Sequence, residues 1–278
     1  MLPEDQHERL EVVLVSPRNP LNIGAVARAM ANFGLRRLSV VAPFAAHWRE
    51  ARSAVGAPAL LENARETASL AEAVSGCTVV VGTGTLTYRK AEQVVISLPD
   101  LAPLAGRELG GGGRVALVFG PEKHGLSRED LSFCHWMVEI PTDPGQPSMN
   151  LGQAVAVCLY ELSSRSGSGG LAGSGGVAGP AGRMESVKAG PPAASELDGS
   201  GLDRAASGRL DRLAGVVEET MEAAGYSPNL MKAANRHDLR LLLRRLSLSE
   251  RDTRRILGLF RRISWRLREG RAGGREGI

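Results

Sequence analysis

Three apolar stretches of the sequence each end in residues that bend the chain. The first stretch ends in Gly82-Thr83-Gly84-Thr85, the second in Gly120-Pro121-Glu122 and the third in Ile140-Pro141-Thr142. Ligands of open parallel sheets bind beyond the carboxyl ends of the strands. We call these three bent segments corners. If the stretches are neighbouring strands, the three corners form one binding site. Taken singly, each corner is also compatible with an ordinary tight turn.

The second corner resembles a phosphate-binding loop only in its glycine spacing. Leu126 follows Gly125 where a Walker loop has its lysine, and Glu122 would repel phosphate. The first corner has one G-x-G but lacks the third glycine of a dinucleotide fingerprint. Backbone amides and carbonyls at such corners suit a neutral or cationic ligand, such as a nucleoside attached to a sulfonium.

The elements that must position these corners alternate along the chain. Near-continuous Val/Ile/Leu runs predict strands at 10–17, 36–43, 77–84, 114–121 and 136–142. Helical periodicity predicts helices at 22–34, 64–76, 127–134 and 150–164, the first with Asn22 as N-cap and Gly34 at its C-terminal end. Such alternation predicts an α/β fold, a parallel sheet with helices on both faces.

A compositional break divides the chain. In residues 164–201, 27 of 38 residues are Gly, Ser, Ala or Pro, too few of them apolar to offset the entropy of ordering. We therefore expect a first domain at 1–163, a flexible linker at 164–201 and a small helical domain at 202–278.

Charge is distributed unevenly between the two predicted domains. Residues 1–201 hold 17 Lys/Arg and 20 Asp/Glu, whereas residues 202–278 hold 17 and 10, a net charge of +7. Helices are predicted there at 210–225, 229–246 and 248–269. The last one has an apolar stripe (Ile256, Phe260, Ile263 and Leu267) and a polar face rich in arginine. This asymmetry indicates a polyanionic partner, and the alternative is a solubilising helix face.

Composition also bears on compartment and cofactors. Cys77, Cys134 and Cys158 are far apart and show no zinc-ligand spacing, so we expect buried reduced thiols, no metal and a cytoplasmic protein. The N-terminus lacks the apolar core of a signal peptide, and no apolar run reaches membrane-spanning length. Aromatic residues make up only 4%, so base stacking on aromatic side chains cannot be widespread.

Three ordered motifs carry a resemblance to a known family. "NIGAVAR" (22–28), "LVFGPEKHGLS" (117–127) and "IPTDPGQPSMNLGQAVAV" (140–157) are similar to the three motifs of the SPOUT RNA methyltransferases. The chain most resembles their TrmH/TrmJ branch, which comprises tRNA ribose 2′-O-methyltransferases, over roughly residues 10–163. The tail also looks like the helical extension of the TrmJ type.

The resemblance implies a fold, a reaction and partners. It implies a C-terminal trefoil knot in the first domain, a homodimer, and S-adenosyl-L-methionine as cofactor for 2′-O-methylation of tRNA. A TrmJ-like enzyme would act on cytidine or uridine at position 32, the first nucleotide of the anticodon loop. Methylation of ribosomal RNA by the same fold, or a non-catalytic RNA-binding scaffold, are the alternatives.

The resemblance also implies roles for individual residues. The catalytic set is Arg28, Asn22, Ser148, Asn150 and Glu122. The predicted cofactor-binding residues are Thr83, Gly84, Thr85, Gly120, Gly125, Ile140, Pro147, Ser148, Met149 and Leu151. The predicted RNA-binding residues are Arg89, Lys90, Arg254, Arg255, Arg261 and Arg262. The sequence departs from the family pattern at Leu21, Gly84-Thr85 and Pro147.

Arg28 is expected to act as a clamp rather than as a base. Arginine is effectively never deprotonated in proteins, so its planar guanidinium is better suited to hold a substrate phosphate and lower the pKa of the ribose hydroxyl. A base role for a strongly perturbed Arg28 is the lesser alternative. His124 and His135 are further candidate bases, although a lone histidine is more often a surface or core group.

Overall fold

A computed structural model of the chain describes residues 2–85, 91–165, 203–226 and 231–273. In this part of the chain seven strands form one sheet: β1 (Leu10–Val15), β2 (Arg37–Val41), β3 (Arg65–Thr67), β4 (Val79–Thr83), β5 (Val94–Ser97), β6 (Val115–Phe119) and β7 (Trp136–Glu139). Their order is β3-β2-β1-β6-β4-β7-β5, and all neighbouring pairs are parallel.

Helices cover both faces of this sheet, so the predicted α/β fold is confirmed. Along β1, Val12 and Leu14 point into one core, while Val13 and Val15 point into the other. The helices that accompany the sheet are α1 (Glu4–His7), α2 (Pro20–Asn32), α3 (Pro58–Glu62), α4 (Leu70–Ala73), α5 (Leu98–Gly110), α6 (Arg128–Leu131) and α7 (Leu151–Arg165). The larger core holds α2, α5 and α7, and the smaller one holds α4 and α6.

The pairing of the central strands places the predicted corners side by side. β4 pairs with β6 on one side and with β7 on the other, so that Val81 is opposite both Leu117 and Trp136. Because the strands are parallel, the chain leaves all three at the same edge of the sheet. The loops after β4, β6 and β7 are therefore neighbours.

All five predicted strands are present, but the predicted helix at 64–76 is wrong in its first half. Residues 65–67 form the edge strand β3, and the helix begins only after Ser69, whose hydroxyl accepts the backbone N–H of Glu72. Two further elements, β5 and α5, are not predicted from the sequence. The strand β5 has only four residues, and the helix α5 contains Pro103, a residue that usually interrupts a helix.

The N-cap of α2 is Asn19, not Asn22 as the sequence reading expected. The Asn19 side chain accepts the backbone N–H of Leu21, and Pro20 occupies the first helical turn, where its fixed φ is compatible with a helix. Asn22 thus lies inside the first turn of α2, and its side-chain amide can form hydrogen bonds with the neighbouring loops. Gly34 follows the helix with φ +74°, as expected for a C-terminal glycine.

Three helices follow the segment that lies outside the described residues: α8 (Ser207–Ala223), α9 (Lys232–Arg245) and α10 (Glu250–Gly273). They pack together around Leu213, Ala214, Leu243 and Leu257. Ile263, predicted to belong to the apolar stripe of α10, is instead 38% exposed at its edge. The predicted linker at 164–201 falls outside the described residues except for the end of α7.

The tail helices contact the first part of the chain directly. The backbone N–H of Ser207 donates to the carbonyl of Cys77 at 2.8 Å. Arg240 lies over the ring of Phe133, and His237 lies 2.6 Å from Glu92. No helix within the described ranges is both long and apolar enough to cross a membrane.

Candidate active site

A cavity of about 400 Å³ lies at the carboxyl ends of β4, β6 and β7. This volume is within the usual range of small-molecule sites. All ten residues that the sequence reading assigned to the cofactor line it. The lining also includes Glu122, predicted to be catalytic, and His124, a candidate base. The other lining residues have no predicted role: Phe119, Pro121, Lys123, Leu126, Thr142 and Ala154.

The loop after β6 closes on itself through its two glycines. A Cβ on Gly120 would lie 2.2 Å from the backbone N of Leu126 and 2.3 Å from the carbonyl carbon of Gly125. Gly125 adopts φ +63° and donates its N–H to the carbonyl of Pro121 at 2.8 Å. The tight turn brings backbone to the cavity wall, and it requires glycine at position 120 because no side chain fits there.

The loop after β4 forms another part of the cavity wall. Thr83 donates its hydroxyl to the carbonyl of Val118 on the neighbouring strand at 3.0 Å. The Thr85 hydroxyl lies 3.4 Å from a carboxylate oxygen of Glu139 at the end of β7. These bonds tie the loop to the ends of both flanking strands.

Glu122 connects the cavity to the start of α2. Its carboxylate accepts the backbone N–H groups of Arg18 and Asn19, at 3.2 and 3.3 Å, and the Asn22 side-chain amide at 2.8 Å. Partial burial raises the pKa of Glu122, but the hydrogen bonds that its carboxylate accepts, above all the one from Asn22, outweigh burial and hold the pKa below its usual value. The group is thus a hydrogen-bond acceptor at neutral pH.

The same network reaches the third motif. Asn150 donates its side-chain amide to the Asn22 side-chain oxygen at 3.2 Å. Its own side-chain oxygen accepts the N–H of Gly152 at 2.9 Å, at the start of α7. Glu122, Asn22 and Asn150 therefore link the loop after β6 to the first turns of two helices. Ser148 lies nearby, exposed and on the cavity wall.

Arg28 does not line this cavity. Its side chain is exposed on α2, two turns after Asn22, and it makes no hydrogen bond or ion pair with any residue that the structure describes. The sequence predicts one catalytic set that contains Arg28 and the other four candidates. Among the described residues no hydrogen bond joins Arg28 to any of these four, and its membership of the set stays a prediction.

A family model described as "SpoU rRNA Methylase family" matches residues 9–160, more than half of the chain. The chain belongs to the SpoU methylase family. The matched segment contains the sheet, the cavity and the Glu122 network.

Relatives of this SpoU family chain are known from several bacteria. It is 42% identical over 156 residues to "tRNA (cytidine/uridine/adenosine-2'-O-)-methyltransferase TrmJ" of Pseudomonas aeruginosa, covering 56% of this chain and 60% of the relative. It is 37% identical over 160 residues to the "tRNA (cytidine/uridine-2'-O-)-methyltransferase TrmJ" of Escherichia coli K12, covering 56% and 63%. The match thus spans about three fifths of the length of these relatives.

A solved structure extends the similarity beyond the family segment. The crystal structure of TrmJ from Z. mobilis ZM4 superimposes with a TM-score of 0.70 at 27% identity, covering 91% of this chain and 98% of that one. The similarity in fold therefore includes the tail helices as well as the SpoU segment.

The two histidines that were candidate bases differ in position. His124 lines the cavity. His135 is buried away from it and accepts the backbone N–H of Val80 through Nδ1 at 3.1 Å. Burial lowers the pKa of His135 well below its usual range, so this SpoU chain keeps it neutral as a core residue.

The predicted RNA-binding residues also differ in surroundings. Arg89 and Lys90 lie outside the described residues. On α10, Arg254 pairs with Glu250 at 3.4 Å and Arg255 with Asp252 at 3.9 Å. Arg261 and Arg262 are exposed and form no ion pair with a described residue. No group of His, Cys, Asp or Glu in the described ranges is arranged to hold a metal ion.

Proposed function

We propose that this SpoU family chain transfers a methyl group from S-adenosyl-L-methionine to the ribose 2′-oxygen of tRNA. The proposed target is cytidine or uridine at position 32. The observation that carries the proposal is the single cavity that gathers residues of the second and third motifs, with Glu122 tying its rim to the first. Relatives named tRNA 2′-O-methyltransferases support the choice of tRNA.

The cavity residues fit a nucleoside joined to a sulfonium. Phe119, Leu126, Leu151 and Ala154 offer an apolar wall for a base. The hydroxyls of Thr83 and Thr85 and the backbone beside Gly120 offer polar contacts. Glu122 supplies a negative charge on the same wall, which suits a positively charged ligand better than a phosphate. Lys123 also lines the wall, but it is a single exposed cation.

We assign cofactor binding to the ten lining residues that the sequence reading named, from the loops after β4, β6 and β7. When bound, S-adenosyl-L-methionine would supply an electrophilic methyl carbon: the ribose oxygen bonds to this carbon as the S–CH3 bond breaks, S-adenosylhomocysteine leaves, and the hydroxyl proton passes to water. The residues of this chain contribute orientation, which can account for much of the acceleration of such a reaction. Ser148, on the cavity wall, is placed to hold the ribose or the cofactor.

Arg28 is proposed to clamp the substrate phosphate from a second copy of the chain. Arg28 is not among the residues that line the cavity of its own chain, and a cation beside the ribose hydroxyl would favour loss of the hydroxyl proton. The exposed apolar side chains of Leu21 on α2 and Tyr160 on α7 favour a homodimer through these helices. Glu122, Asn22 and Asn150 then act as positioning residues that fix α2 against α7.

The remaining parts of the proposal concern architecture. We propose that the β7–α7 segment forms the trefoil knot of the SPOUT fold, and that the chain divides into domains at 1–163 and 202–278 joined by a linker. Arg89, Lys90, Arg254, Arg255, Arg261 and Arg262 contact the RNA backbone. Such contacts add affinity without reading sequence. The proposed place of action is the cytoplasm.

The proposal is tested by incubating the full chain with radiolabelled S-adenosyl-L-methionine and, separately, tRNA or ribosomal RNA. Transfer of label to tRNA is expected. Label on ribosomal RNA alone would assign the substrate to the alternative named above. Calorimetric titration with S-adenosyl-L-methionine accompanies the assay, because a non-catalytic scaffold would neither bind the cofactor nor transfer its label.

A further inference from the structure

Trp265 is a large aromatic side chain left open to solvent on the tail. Its side chain is 54% exposed on α10, whereas Trp48 and Trp136 are 0% and 6% exposed. The helix packs against α8 through a different face, which includes the buried Thr253, Leu257 and Ser264. Trp265 therefore has no role in the core that holds the tail together.

Arginines surround this ring. α10 contains eight arginines and three acidic residues, a net charge of +5. Helical spacing places Arg261 and Arg262 one turn before Trp265, and the guanidinium of Arg266 lies 5.4 Å from the ring centre. None of these three arginines pairs with an acid among the residues that the structure describes. Their charge is available to an external anion.

We propose that Trp265 stacks on an unpaired nucleobase of the RNA substrate, while the arginines around it contact the adjoining phosphates. This inference rests on the proposed function and adds to it a preference for single-stranded bases. A planar ring binds the face of any exposed base, but paired bases in a duplex hide their faces. The Trp265 ring would thus favour the binding of RNA loops over RNA duplexes, whereas the basic surface around it does not discriminate between them.

Charge favours RNA over a second copy of the chain as the partner of this surface. Two α10 helices that face each other would each bring a net charge of +5, so they would repel. A polyanion with exposed bases complements both the arginines and the ring.

The experiment uses the full chain and two RNA probes, a stem-loop and a fully paired duplex of the same length. Because the other two tryptophans are buried, a change in tryptophan fluorescence reports on Trp265. Quenching by the stem-loop and a weaker response to the duplex are expected. Trp265→Ala should weaken stem-loop binding about tenfold and Trp265→Phe much less, with duplex binding unchanged.

Matched variants separate stacking from charge and from misfolding. Leu259→Ala, at a residue 57% exposed on another flank of α10, should leave both affinities unchanged. Trp265→Ala should leave the salt dependence of binding unchanged, whereas Arg261→Ala should reduce its slope by about one, since one fewer phosphate is neutralised.

Three results would overturn the inference. They are equal stem-loop affinity of Trp265→Ala and wild type, an equal loss on stem-loop and duplex, and a lower molar mass of Trp265→Ala by light scattering. The last would assign the ring to a contact between copies. The proposed function fails separately, if the wild-type chain binds no S-adenosyl-L-methionine or transfers no methyl group.

Discussion

Five side chains were predicted to perform the reaction, and they occupy three kinds of position. Glu122 and Ser148 line the cavity, Asn22 donates to Glu122 and accepts from Asn150, and Arg28 is an exposed residue of α2 that does not line the cavity. Only a residue that meets the substrate can act on the hydroxyl. We therefore expect different effects from replacing Arg28 and from replacing a residue of the hydrogen-bond network.

Replacing Arg28 should affect turnover and spare cofactor binding. Arg28→Ala is expected to lower the rate of methyl transfer by about a hundredfold, because a positioned charge beside the reacting hydroxyl is lost. Arg28→Lys should also lower the rate of methyl transfer, because the point charge of the lysine ammonium group does not reproduce the planar guanidinium group. Single-turnover rates and calorimetry measure the two effects. Arg36→Ala, at the opposite edge of the sheet, is the control and should behave as wild type.

Replacing Glu122 should destabilise the fold in a pH-dependent way. Hydrogen bonds hold the pKa of Glu122 below its usual value, so its ionised form contributes stability that is fully present above the usual carboxyl pKa and is lost as pH falls through the lowered pKa. Glu122→Gln should therefore cost about 1 kcal/mol of unfolding free energy at pH 7 and progressively less in acid, as the carboxyl group is protonated.

Urea unfolding at several pH values measures this difference. Glu62→Gln, at an exposed carboxylate without a partner among the described residues, should show no such dependence. A constant difference between Glu122→Gln and wild type from pH 7 to the acid limit would contradict the proposed role of the carboxylate.

At the scale of elements, the site depends on the turn after β6. Gly120→Ala places a Cβ 2.2 Å from the backbone N of Leu126, so the loop must open. We expect Gly120→Ala to lower the free energy of unfolding by about 1–3 kcal/mol. We also expect it to lose S-adenosyl-L-methionine binding. Gly106→Ala is the control and should not destabilise the fold. No atom lies within 4 Å of the Cβ that it adds, and alanine favours a helix. Unchanged cofactor affinity of Gly120→Ala in calorimetry would place the site elsewhere.

The sequence predicted the central elements better than the peripheral ones. The strands β1, β2, β4, β6 and β7 have long apolar runs because both of their faces are buried. β3 is a three-residue edge strand whose Arg65 and Glu66 are exposed, so its pattern matched a helix instead. The N-cap of α2 was predicted at Asn22 instead of Asn19 because asparagine is an equally good N-cap at either position. Only Pro20 distinguishes the two positions.

The candidate site was predictable where it depends on motifs. The glycine and proline corners identified the cavity loops, but the apolar wall was missed in part because Phe119, Leu126 and Ala154 look like ordinary core residues in the sequence. Lys123 was overlooked although it lies within the quoted motif. That Arg28 is not a lining residue could not be predicted, because helical spacing gives its face on α2 but not which side chains line the cavity.

At the scale of the whole molecule, we propose that the site is complete only in a dimer. If Arg28 acts in the cavity of a partner, a mixture of Arg28→Ala and Gly120→Ala chains forms heterodimers with one intact site. After subunit exchange, equal amounts of the two variants should recover about a quarter of wild-type activity, although each alone is inactive. No recovery, with exchange verified by mass spectrometry, would place Arg28 in its own chain's site.

We propose that the chain methylates a ribose hydroxyl of tRNA. The decisive experiment incubates the full chain with deuterated S-adenosyl-L-methionine and an anticodon stem-loop, followed by mass spectrometry of the nucleosides. A matched stem-loop carries a 2′-deoxynucleotide at position 32. We predict labelled 2′-O-methylcytidine or 2′-O-methyluridine from the ribose substrate and none from the deoxy substrate. Label on a base, equal label on both substrates, or no label on either would contradict the account.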